Sequence, residues 1–126
     1  MKRVILVLFA FLLSSFANAA VSDADLKKIA DMVNQKSPMM IDSDTQLVGA
    51  TGGNGQLIYK YKLVNYTASQ LDKEKFRSII EPQLIEGSCP RIKPMLDAGI
   101  TAVYSYAGKD GTEIISISLS SKECSQ

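Results

Sequence analysis

Two cysteines, at positions 89 and 124 of a 126-residue chain, constrain this fold more than any other feature. The first residues explain why they matter. Lys2 and Arg3 precede the apolar run "VILVLFAFLLSSF" over 4–16, and small residues follow at Ala17 and Ala19. This is the three-part layout of a secretory signal peptide, with cleavage expected after Ala19. The apolar run is too short to span a bilayer, which takes about 20 residues. The expected organisation is therefore a leader over 1–19 and one domain over 20–126, exported to the periplasm, with no membrane span in the mature form.

Exported thiols meet an oxidising environment and pair. An even count of two then predicts a Cys89–Cys124 disulfide rather than a free reactive thiol. Closing that loop is worth roughly 3–4 kcal/mol on the chain-entropy view, against a net stability of about 5–15 kcal/mol for a domain of this size.

Removing Lys2 and Arg3 from the 14 basic residues leaves 12 against 13 acidic ones. That near-neutral balance argues against nucleic acid or an anionic membrane as partner, since both favour a clustered basic patch.

Between the leader and the tail, periodicity and punctuation predict the elements. Ser22 caps a helix over 23–35, with Leu26, Ile29, Ala30 and Val33 at helical spacing. "KSP" at 36–38 ends it. "TQLVGA", "TGGNG" and "QLIYKYKLV" read as strand, turn and strand, with Tyr59, Tyr61 and Leu63 alternating against Lys60 and Lys62. Thr67 and Gln70 have the form of a capping box before a helix over 69–86, kinked or split by Pro82 and stopped at Gly87. "CPRIKPMLDAG" then predicts a short helix, and "ITAVYSYA", "GKDG" and "TEIISISLS" a second hairpin. The expected fold is α+β: a four-stranded antiparallel sheet from two β-hairpins, with two long helices and one short helix packed on it (α-β-β-α-α-β-β), and one disulfide. The second hairpin returns the tail to the start of the short helix, which places Cys124 within reach of Cys89.

Chemistry is sparse. The chain has no histidine, which removes the commonest general base, the Ser-His and Cys-His nucleophiles and most zinc sites together. No Ser-x-x-Lys spacing occurs. "DSDTQL" at 42–47 opens like a calcium loop, but Leu47 stands where glycine is needed and Gly53 where a bidentate glutamate is needed. It reads instead as a solvated turn entering the first strand, with Asp44 hydrogen-bonding nearby backbone. "GGNG" lacks the lysine and the following helix of a phosphate loop. No enzyme activity, metal or cofactor is expected. Met39, Met40 and Met95 serve either as core filling or as a soft surface that accepts a partner's amphipathic helix, and Tyr66 either packs or adds to such a surface.

A resemblance joins these segments. "KSP" after a first helix, "TQL", a glycine turn and an alternating strand form its first part, and "CPRIKPMLDAGITAVYSY", a "DG" turn and a final "KEC" form its second. Together they resemble the small disulfide-bonded α/β pilotin domain of type II secretion. The resemblance implies Cys89–Cys124 as the disulfide and Gly99 as the turn into the third strand. It also implies a non-catalytic accessory protein that holds the C-terminal segment of an outer-membrane secretin. It departs at one point: pilotins are lipoproteins, and no lipid-accepting cysteine follows the expected cleavage site. A reading of another kind is a periplasmic inhibitor or immunity protein acting on a toxin or hydrolase. Residue types carry no information on oligomeric state.

Overall fold

The computed structural model describes residues 21–125, and the expected leader over 1–19 lies outside them. Ser22 Oγ accepts from the Asp25 amide at 3.1 Å, and the Asp25 carboxylate accepts from the Ser22 amide at 3.3 Å. This reciprocal cap satisfies donors that the first helical turn leaves unpaired. Behind it, helix α1 (Asp23–Lys36) buries Leu26 and Ala30. Strand β1 (Met39–Met40) follows, then β2 (Thr45–Gly53) and β3 (Gln56–Leu63). Asn54 and Gly55, both with positive φ, join β2 to β3, the two-residue turn whose twist matches a hairpin. A 3-10 turn (Ala68–Gln70) leads into helix α2 (Lys73–Asp97), and β4 (Thr101–Ala107), β5 (Glu113–Leu119) and the one-turn helix α3 (Ser121–Cys124) complete the chain.

The α+β class, both hairpins and the disulfide stand as expected, and the Cα atoms of Cys89 and Cys124 lie 5.3 Å apart. Three features differ. The sheet has five strands in the order β1-β2-β3-β4-β5, because the two residues after Pro38 pair with β2. The sheet is mixed rather than antiparallel: β3 and β4 run parallel from Gln56↔Thr101 to Lys62↔Ala107. The chain between them crosses over through α2, and a crossover of this kind returns the next strand in the same direction.

The third difference is that one helix of 25 residues replaces the long and short helices. The Thr67–Gln70 pair belongs to the 3-10 turn, where the Gln70 side chain accepts from the Thr67 amide at 2.7 Å, and the cap of α2 is Asp72, which accepts from the Lys75 amide at 3.1 Å. Pro82, Pro90 and Pro94 sit inside α2. Each lacks the amide that would bond four residues back, freeing the carbonyls of Ser78, Glu86 and Pro90. Those carbonyls and the prolines fall on one exposed stripe at four-residue intervals, so water satisfies what the helix cannot.

Both helices cover the same face of the sheet. Leu57, Tyr59, Tyr61 and Leu63 alternate onto that face of β3. Leu57 packs with Leu26, Ala30, Ala50 and Ile100 under α1, while Leu63, Tyr104, Tyr106, Ile115, Ile117 and Leu119 pack under α2. The other face carries exposed or half-buried Lys60, Lys62, Ser105, Ser116 and Ser118.

Candidate functional site

The shortness of β1 leaves apolar side chains uncovered at the sheet edge. Met39, Met40 and Ile41 are 43%, 47% and 49% exposed. Val48 sits at the register shift between Leu47 and Gly49 and is also exposed, turned outward by the bulge. These residues form a contiguous stretch of chain and its paired neighbour, a feature that marks interaction surfaces when it recurs over one patch.

Ile41 connects that edge to a cleft of about 370 Å³ between the sheet and α2. Tyr61 and Tyr106 form its sheet wall, and Ile80, Leu84 and Arg91 its helix wall. The sheet wall is a ladder of stacked rings: Tyr59–Tyr104 at 5.3 Å, Tyr61–Tyr106 at 4.9 Å, and Phe76 edge-on to Tyr106 at 5.5 Å. Burial raises all four phenols; Tyr106 is pushed up to about 12, with Tyr104 and Asp42 adding to the effect. They therefore stay neutral at physiological pH and offer hydroxyls rather than acid–base chemistry.

The charges of the cleft are Asp42 and Arg91. Asp42 Oδ1 accepts from the amides of Asp44 and Thr45, each at 2.8 Å. The bond to Asp44 is the main cause of a carboxyl held below its ordinary range. "DSDTQL" is thus a turn, as expected, but the carboxylate that closes it on the backbone is Asp42 and not Asp44, whose Oδ1 accepts from the Asn65 side chain instead. A depressed folded value means that Asp42 adds stability above the unfolded carboxyl pKa, about 3.9, and loses it as pH falls through the folded value. Urea midpoints taken between pH 6 and pH 2 should therefore fall more steeply for the wild type than for Asp42→Asn; parallel profiles would show that the turn does not depend on the charge.

Of the residues singled out from sequence, Met39 lies at the β1 edge on the cleft side of the sheet, in register with Leu47 and Tyr61, whereas Met40, in register with Gln46 and Lys62, lies on the other side. Tyr66 is exposed one loop away, where Asn65 Nδ2 donates to Asp44 Oδ1 at 2.7 Å and the Lys109 amide donates to the Tyr66 carbonyl at 2.7 Å. Met95 is not with them; it packs, partly buried, between the two halves of the core. Arg91 escaped the sequence reading because the helix was expected to stop at Gly87. Continued through that glycine, Ile80, Leu84, Gly87 and Arg91 share one stripe, and a cation on an apolar stripe is the signal that would have found it.

No family profile and no curated relative matches the chain. Solved structures do. The type 2 secretion pilotin EpsS of Vibrio vulnificus has a TM-score of 0.64 at 10% identity, covering 81% of this chain and 90% of its own. The type II secretion pilotin AspS of Vibrio cholerae gives 0.62 at 12% identity, covering 81% and 91%. The fold is pilotin-like. A candidate secreted protein of Pseudomonas aeruginosa shares it, with a TM-score of 0.65 at 23% identity, covering 84% of this chain and 98% of that one. Among the described residues, no helix is long and apolar enough to cross a membrane.

Proposed function

We propose that the chain is an exported, non-catalytic accessory protein of a secretion system, processed after Ala19 to a single domain over 20–126. In the periplasm it holds a peptide segment of a protein partner such as the C-terminal segment of an outer-membrane secretin. The observation that carries this reading is the uncovered sheet edge on which Met39 and Ile41 lead into the cleft of a pilotin-like fold, with Met40 exposed on its reverse side. Its linings are apolar and aromatic, the composition of a surface that takes up a partner's side chains rather than a reacting group. Cys89 and Cys124 are joined to each other, so neither is free to carry a lipid.

A labelled peptide of the host secretin's C-terminal segment tests this. It should bind the exported protein, and Met39→Glu with Met40→Glu should weaken binding roughly tenfold or more, the cost of spoiling central apolar contacts, without shifting the melting temperature. Equal binding by the variant, or no binding by the wild type, would remove the reading.

A further inference from the structure

The two edges of the sheet are unlike. At one, β1 is two residues long and follows Pro38, which has no amide to offer. Past β1, the edge of β2 shifts register at Val48 and is then closed by Asn34, whose side chain occupies both the amide and the carbonyl of Ala50. A short strand, a bulge and a capped backbone are devices that keep a sheet from pairing with another chain. The other edge is β5, where these devices are missing.

The direction of the β5 backbone follows from its neighbours. The Thr101 amide donates to the Gly55 carbonyl at 3.0 Å, so odd-numbered residues of β4 turn their backbone groups toward β3 and even-numbered ones toward β5. Ala102, Tyr104 and Tyr106 stand opposite Leu119, Ile117 and Ile115, which take those bonds. Ser116 and Ser118 therefore point theirs off the sheet, and the Ser116 carbonyl is met there by Arg77 Nη2, which donates to it at 3.1 Å. Both serines are exposed, and no charge, proline or glycine occurs from Ile114 to Ser121. A strand of this composition at an edge is a template for another strand. Its one guard is Arg77, held from behind only by an ion pair to Glu81 at 3.6 Å between two well-exposed side chains.

The strand also complements itself. Antiparallel about a two-fold axis, Ser116 faces Ser118 of a second copy and Ser118 faces its Ser116, each pair exchanging both backbone bonds. That direction brings Glu113, at the start of β5, beside Lys122 just past the end of the other, whereas parallel pairing would set each charge against its like. We infer that β5 pairs antiparallel with β5 of a second copy, joining two five-stranded sheets into one and displacing Arg77 from the Ser116 carbonyl. One strand edge covers less than a standard interface, so the dimer is weak, half formed at roughly 10–100 µM. It uses the edge opposite Met39 and Ile41, so the segment-binding reading stands or falls separately.

Sedimentation velocity on the exported, disulfide-bonded protein, from about 1 µM to about 1 mM, should show a monomer passing to a dimer. Hydrogen exchange at the two ends of that range should show the Ser116 and Ser118 amides protected about tenfold or more at the high end only. Ser118→Lys should keep the protein monomeric at an unchanged melting temperature, and Arg77→Ala should tighten the dimer several-fold; if Ser118→Lys lowers the melting temperature, Arg77→Ala alone decides. A monomer at every concentration would overturn the inference, as would a dimer without added protection at those two amides, a dimer indifferent to both substitutions, or species larger than a dimer. A synthetic peptide of residues 112–121 should compete for the edge. If it binds while the protein stays monomeric throughout, the occupant is a foreign strand and not a second copy.

Discussion

Replacing Cys89 and Cys124 together by serine should lower the unfolding free energy by about 3–4 kcal/mol, the loop-closure contribution of a cross-link at a sequence separation of 35. The argument does not end with the unfolded state. The last helix is a single turn, Ser121–Cys124, far below the length at which a helix holds itself in water. Its own side-chain support is a cap at each end: the Glu123 carboxylate accepts from the Ser120 amide at 3.0 Å and from the Ser120 hydroxyl at 2.5 Å, and the Ser125 hydroxyl donates to the Lys122 carbonyl at 3.0 Å. Cys89, by contrast, is 8% exposed and sits in the main core on α2. The disulfide therefore ties a turn that would fray to a buried position on α2, and it closes the β4–β5 hairpin into the same loop. Urea unfolding should show a lower midpoint and a larger m-value, since the uncrosslinked chain unfolds to a more expanded state. Hydrogen exchange should show loss of protection at the chain end before any loss in β4. A double-serine protein within about 1 kcal/mol of the wild type would mean that side-chain packing alone holds the tail, and that the covalent link adds little.

How far the chain could be read in advance follows from which signals are local. Asn54-Gly55 and the alternation of Tyr59, Tyr61 and Leu63 fix a hairpin within a dozen residues, and β2–β3 formed as those signals demand. The parallel pairing of β3 with β4 has no local signature, because it depends on where the crossover helix lays the chain down. Pro82 and Gly87 gave a local signal for a break that did not occur, and Pro90, read as the first position of a new helix, lies inside the old one. The three prolines of α2 are spaced by eight and four residues, which keeps them and the residues whose carbonyls they free on its exposed side, a property of the set rather than of any one proline. The site followed the same division. Met39 and Met40 were legible as soft apolar side chains without a strong pattern, whereas Arg91 became visible only once the helix continued past Gly87 and brought it beside Tyr61 and Tyr106.

The two glycines Gly52 and Gly87 should respond to the same substitution with opposite sign. Gly52 lies on β2 directly beneath α1, and a Cβ there would collide with the Leu26 carbonyl and stand 3.0 Å from the Leu26 Cβ. Backbone cannot swing aside as a side-chain end can, so α1 would have to lift from the sheet. It is held down at both ends of this contact. Leu26 is fully buried, and the Asn34 side chain brackets Ala50, donating to its carbonyl at 2.9 Å and accepting from its amide at 2.8 Å. Lifting the helix costs these interactions together, so Gly52→Ala should destabilise by about 2–3 kcal/mol, the upper part of the range for overpacking a tight site. Gly87→Ala adds the same methyl to open space on a helix, where less freedom in the unfolded chain and better helix propensity should stabilise by about 0.5–1 kcal/mol. Chemical denaturation of the two variants side by side separates a glycine that the fold requires from one that it does not. If Gly87→Ala proved as damaging as Gly52→Ala, Gly87 would be a structural residue after all.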